Sequence, residues 1–274
     1  MATGATPIEV TGAGGVRLAA YSSGDPTARP VLLVHGYPDT HRVWDVVAAR
    51  LGAHHHVLRY DARGAGASGA PAHRADYRVE NLATDARLVA AALHPDAPVH
   101  LVGHDWGSVT GWVAATSPEA ARWMASYTSV SGPHPTHTVD WIARTLRHPS
   151  PAALTRLGRQ ILHSRYLGVF LYRANVLTTR RLPGRARVPV QLVVPLRDRY
   201  VTPAWADAAL AHAEPVWRRT VDTGHWGALI THGVTLADWI AHFAQHVDGG
   251  PADEELRAAR VVQPAVAQPS TPTR

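Results

Sequence analysis

Five short apolar runs punctuate the chain: PVLLVHG at 30–36, HHVLRYD at 55–61, PVHLVGHD at 98–105, ASYTSVSG at 125–132 and PVQLVVPL at 189–196. Such runs read as strands buried on both faces, which a mostly parallel sheet covered by helices provides. Between them VWDVVAARL at 43–51, NLATDARLVAAAL at 81–93 and WGSVTGWVAATS at 106–117 carry helical spacing. The alternation predicts an α/β protein. With 274 residues, 46% of them hydrophobic, the chain can bury one large core. The rhythm breaks from 133 to 188, where helical patterns with Pro-rich joints predict a helical cap inserted between core segments 1–132 and 189–248. The last stretch, 249–274, is rich in Pro, Ala and small polar residues, and is expected to be a disordered tail or linker.

The third run ends in Gly103-His104-Asp105-Trp106-Gly107, where a strand gives way to a helix. A side chain on so sharp a turn needs small neighbours, so that the helix can pack against the strand. The turn throws Asp105 into the space above the carboxyl ends of the strands, where open α/β sheets bind ligands. It also sets the N–H of Trp106 at a helix N-terminus. After the first strand comes His35-Gly36-Tyr37-Pro38, placed to supply the N–H of Tyr37 as a second donor of an oxyanion hole. Asp198 follows the strand ending near Leu196, and His225 follows a last apolar stretch. The order nucleophile, acid, base is that of the α/β-hydrolases. Asp222 is nearer to His225 in sequence, but Asp198 holds the position after its strand.

The segments HGYPDTHRVW, DARGAGAS and GHDWGS together resemble the epoxide hydrolase branch of the α/β-hydrolases, over nearly all of residues 15–247. YTSVSGP, PVQLVVPLRDRYVTP and VWRRTVDTGH are similar to the hydrolase half of actinobacterial proteins in which a short-chain dehydrogenase domain follows. That second domain is not expected here, and the tail falls where its linker would. The resemblance implies an α/β-hydrolase fold with a mostly parallel sheet flanked by helices, and a cofactor-independent hydrolase. It places the two cap tyrosines of epoxide hydrolases at Tyr166 and Tyr172. These are six residues apart here and far apart in most relatives, as though the middle of the cap were missing.

A serine at the elbow would need a base before attacking an acyl carbon. An aspartate is already ionised at neutral pH and can attack a saturated carbon directly. The expected product is an ester of Asp105, hydrolysed by water that His225, oriented by Asp198, deprotonates. No G-x-S-x-G occurs in the chain, so an ordinary esterase lacks its nucleophile. An epoxide oxygen leaves as an alkoxide and needs a proton donor, the role of Tyr166 and Tyr172. A halide needs only N–H donors, but Tyr37 stands where haloalkane dehalogenases commonly carry an amide. Epoxide opening is favoured over dehalogenation, and over a catalytically quiet binding protein, because every triad residue is present.

Asp61 and Arg63 are expected to brace a loop, and His104 to point into packing. HHH at 54–56 reads as a strand entrance, lacking ligand spacing and carboxylate partners. No metal or cofactor is expected. With no Cys the chain has neither disulfides nor thiol chemistry. The N-terminus carries no signal-like segment, and a cytoplasmic location is expected. Residues 141–197 hold eleven Arg and no acid, leaving 16 Arg against 21 acids elsewhere. This basic stretch reads as a cap helix with its Arg in water. Alternatively, it attracts a lipid-like or carrier-bound substrate or a membrane surface. Nucleic acid is not an expected partner.

Overall fold

The computed structural model describes residues 6–137, Arg147, Leu171, Ala174, Asn175, Leu182 and 184–262. Nine strands form one sheet: β1 (Thr6–Thr11), β2 (Arg17–Ser23), β3 (Pro30–Val34), β4 (His56–Tyr60), β5 (Val99–His104), β6 (Met124–Val130), β7 (Val190–Pro195), β8 (Val216–Val221) and β9 (Arg260–Val261). Their order is β1-β2-β4-β3-β5-β6-β7-β8-β9. From β4 to β8 neighbours run parallel; β1–β2, β2–β4 and β8–β9 pair antiparallel. Each of the five apolar runs is thus a strand of the parallel centre.

The double-sided burial can be followed along β3. Leu32 and Val34 face a core shared with Leu58, Leu101 and the helices α2 (Val79–Leu93) and α3 (Trp106–Thr116). Val31 and Leu33 face the opposite core, closed by α1 (Asp45–Leu51). All four are essentially inaccessible to water. A parallel strand at the centre must be apolar on alternate residues of both faces, hence unbroken runs rather than alternation. Beyond β7 come α4 (Pro203–Asp207) and α5 (Gly233–Val247), whose Leu236, Ala237 and Ile240 join the α1 side.

The chain leaves the sheet after Val130 and rejoins it at Val190, on the neighbouring strand. Tyr166 and Tyr172 lie outside the described residues, as does most of the basic stretch. No helix among the described residues is long and apolar enough to cross a membrane.

The expectation of a disordered tail from 249 is corrected by the segment up to Val262. Residues Glu254–Ala259 form α6, capped by the Asp253 side chain accepting from the N–H of Leu256 at 2.6 Å. Leu256 is fully buried against Trp217 and Phe243. Arg260 stacks over the Trp217 ring, and β9 then pairs with β8. One buried leucine and one cap hold a segment whose composition is otherwise that of a linker.

Candidate active site

Asp105 sits between β5 and α3 with φ 54° and ψ −117°. A non-glycine residue tolerates positive φ only where its surroundings enforce it. Here the neighbouring glycines do so. A Cβ on Gly107 would overlap the carbonyl oxygen of Val34, and one on Gly103 would overlap that of Gly107. Gly36, on the loop after β3, lies so close that a Cβ there would overlap the Asp105 side chain. The glycines therefore let α3 pack on β3 while the turn holds the carboxylate in the site.

The structure brings the three residues expected as a triad together. His225 Nδ1 lies 2.8 Å from Asp198 Oδ2, and its Nε2 lies 3.4 Å from Asp105 Oδ2. Asp198 in turn accepts the N–H groups of Tyr200 and Val201 through Oδ1, at 2.8 and 2.9 Å. The acid is fixed by its own loop. Asp222 instead pairs with Arg197 at 2.9 Å on the surface.

The N–H of Tyr37 donates to Asp105 Oδ1 at 2.9 Å, so one expected oxyanion donor already holds the nucleophile. Trp106, the other, is the first residue of α3, where the helix dipole favours negative charge. Both line a cavity of about 360 Å³ with Asp39, Tyr77, Leu82 and Leu171.

Burial pushes the Asp105 carboxyl up, but the His225 hydrogen bond and charge, with His104 and the Tyr37 N–H, outweigh it. The net value lies below the usual carboxylate range. For His225 burial acts downward, and its bonds to Asp105 and Asp198 reverse this, holding the imidazole at about 9. The resting pair is therefore carboxylate and imidazolium.

His104 is completely buried, its ring 4.7 Å from that of His225 and its Nε2 3.1 Å from the His225 carbonyl oxygen. Burial and the neighbouring imidazolium bring it down to about 4, so it stays neutral behind the base. Asp61 braces the turn after β4: Oδ1 accepts the His41 N–H at 2.9 Å and Oδ2 that of Ala67 at 2.9 Å. Arg63 forks onto the buried Asp85 at 2.7 and 2.6 Å. In HHH, His56 opens β4 and bonds Ser22 Oγ at 2.6 Å.

Two residues were missed in the sequence. Asp39 accepts the indole N–H of Trp226 at 2.9 Å, tying the loop after β3 to the residue after the base. Burial holds the Asp39 carboxyl above the usual range, opposed by that bond and assisted by Asp105. Tyr77 adds its ring to those of Tyr37 and Trp106 in the cavity. Asp39 stands within the quoted HGYPDT, but nothing there points to Trp226.

The residues expected as nucleophile, acid and base, in this chain order on a mostly parallel sheet, sit in an α/β-hydrolase fold. The α/β hydrolase fold family matches residues 29–158. Among its relatives, the probable oxidoreductase EphD of Mycobacterium tuberculosis is 31% identical, over 91% of this chain and 51% of its own. Epoxide hydrolase A of the same organism is 28% identical, over 81% of this chain and 72% of its own. The chain spans about half the length of the first of these. A solved epoxide hydrolase from metagenomes of hot environments superimposes with a TM-score of 0.68, covering 90% of this chain and 99% of that one. At 19% identity that likeness carries the fold.

Proposed function

We propose that the protein opens a small apolar epoxide to a vicinal diol through an ester on Asp105. The observation that carries this reading is the nucleophile itself. A carboxylate on the elbow is held by a main-chain N–H on one oxygen and faces the base across 3.4 Å on the other. The likeness to epoxide hydrolase A of Mycobacterium tuberculosis supports the same substrate class.

In the first step an Asp105 oxygen attacks an epoxide carbon, the ring C–O bond breaks, and the alkoxide takes a proton from a cap phenol, Tyr166 or Tyr172. In the second, water attacks the ester carbonyl carbon while His225 Nε2 takes its proton. The Tyr37 and Trp106 N–H groups hold the tetrahedral oxyanion until the C–O bond to the diol breaks. Alkylation also prepares the base. Esterified Asp105 has no charge, so His225 loses one of the two carboxylates that keep it protonated, releases its proton to solvent, and as neutral imidazole accepts the water's proton, which it then returns to the departing diol oxygen.

Single turnover in oxygen-18 water tests this. The expected first-turnover diol carries no label, while the peptide containing Asp105 gains one heavy oxygen. Label appearing directly in the diol, with none in that peptide, overturns the ester mechanism.

A further inference from the structure

Three histidines meet near where the chain departs from the sheet and returns to it. His134 follows β6, His137 lies among the helical residues 135–137, and His212 ends the 3-10 turn Ala208–His212. The His134 and His212 rings stack at 3.8 Å with planes 8° apart. The His137 ring lies 4.9 Å from that of His212 and 5.9 Å from that of His134. The Nε2 atoms of His137 and His212 are 3.1 Å apart. One ring nitrogen from each of the three lies within 4.8 Å of the other two.

That spacing has a chemical meaning. Two imidazole nitrogens at about 2.0–2.1 Å from one tetrahedral ion stand about 3.3 Å apart, close to the separation already present between His137 and His212. His134 is completely buried and its Nε2 has no hydrogen-bond partner, a state that a histidine serving only as packing avoids by finding an acceptor. Its Nδ1 lies 3.3 Å from the Thr136 N–H, and accepting there leaves the proton on the unpartnered Nε2. Neutral imidazoles are ligands for borderline transition metals, and a site built of three of them carries no charge to attract hard cations.

We propose that His134, His137 and His212 form a binding site for a divalent transition-metal ion of the zinc, nickel or copper type at the root of the cap. None of the three belongs to the triad or lines the elbow cavity, so the site stands apart from the catalytic reading. It also departs from the sequence expectation of no metal ligands, because the third histidine comes from a distant segment. Three protein nitrogens fill three of the four positions of a tetrahedral ion. For ligation through Nε2, the stacked rings splay and the His134 proton moves to Nδ1, replacing the contact with Thr136. The bound ion would clamp residues 134–137, where the cap begins, to residues 208–212 of the core.

Calorimetric titration of untagged, metal-stripped full-length protein with zinc chloride and nickel chloride tests the proposal, with copper(II) electron paramagnetic resonance as a second readout. The expected result is one equivalent bound at micromolar affinity or better, a rise in melting temperature, and nitrogen couplings in the copper spectrum. His134→Gln, His137→Gln and His212→Gln should each weaken binding at least about tenfold. His137 is half-exposed, so its variant separates ligation from folding, with circular dichroism as the check. A double variant, His54→Gln with His55→Gln, should bind as the parent does. No stoichiometric uptake, unchanged affinity in His137→Gln, or loss of binding in the 54/55 variant overturns the assignment.

Discussion

At the scale of single residues, the strongest dependence is on Asp105. Asp105→Ala removes the only group in the assembled triad able to form the ester, and turnover should fall by at least about 10³-fold. The measurement is the steady-state rate on an apolar epoxide. His225→Gln leaves the attack possible and removes the base, so mass spectrometry of quenched reactions should show an alkylated peptide spanning Asp105. The resting ion pair also leaves a mark on stability. His225 titrates at about 9 in the folded protein against an ordinary 6.5, so its contribution is fully present below about pH 6.5 and is lost as pH rises through about 9. Thermal melts between pH 6 and pH 10 should show a fall in the parent that is much reduced in His225→Gln. A flat parent profile would contradict the pairing.

At the scale of elements, Gly107→Ala is expected to cost about 2 kcal/mol or more, measured by urea unfolding, because its Cβ would overlap the Val34 carbonyl oxygen. Leu256→Ala should cost about 2–4 kcal/mol by the same measurement, since Leu256 is fully buried against Trp217 and Phe243. A change near zero would return the last segment to the status of a tail. The two cases also mark what could be read in the sequence. Strands β3 to β7 were legible because burial on both faces makes them apolar without interruption, and the elbow because glycines at 103 and 107 are required by close backbone approach. Segment 254–261 was not legible, since its anchorage is one leucine and a strand of two residues. The bond from Trp226 to Asp39 was equally hidden: it joins residues 187 positions apart that meet only when the sheet is assembled. The triad could be read because each member follows a strand end in a known chain order.

At the scale of the whole molecule, charge is distributed unevenly: +6 overall, with eleven Arg and no acid between 141 and 197. The field of such a stretch acts on anions over a Debye length, about 8 Å at physiological ionic strength. We therefore expect kcat/KM for a neutral epoxide to be insensitive to salt, and that for an epoxide bearing a carboxylate to fall as salt is raised. Equal salt response for both would remove any steering role for the arginines. The outer strands matter at this scale too. Short β9 covers the open side of β8, while Glu255 reaches Arg219 at 2.7 Å. A natural strand edge is thereby kept from pairing with other chains.

The departure at Val130 and the return at Val190 lie on adjacent parallel strands, where Val190 pairs with Tyr127 and Val130 with Val193. An excursion whose two ends are each fixed by the sheet places little demand on its own length, since the ends stay where the strands hold them. That stretch can therefore be trimmed, enlarged or exchanged while Asp105, Asp198 and His225 stay held by the strand ends that carry them.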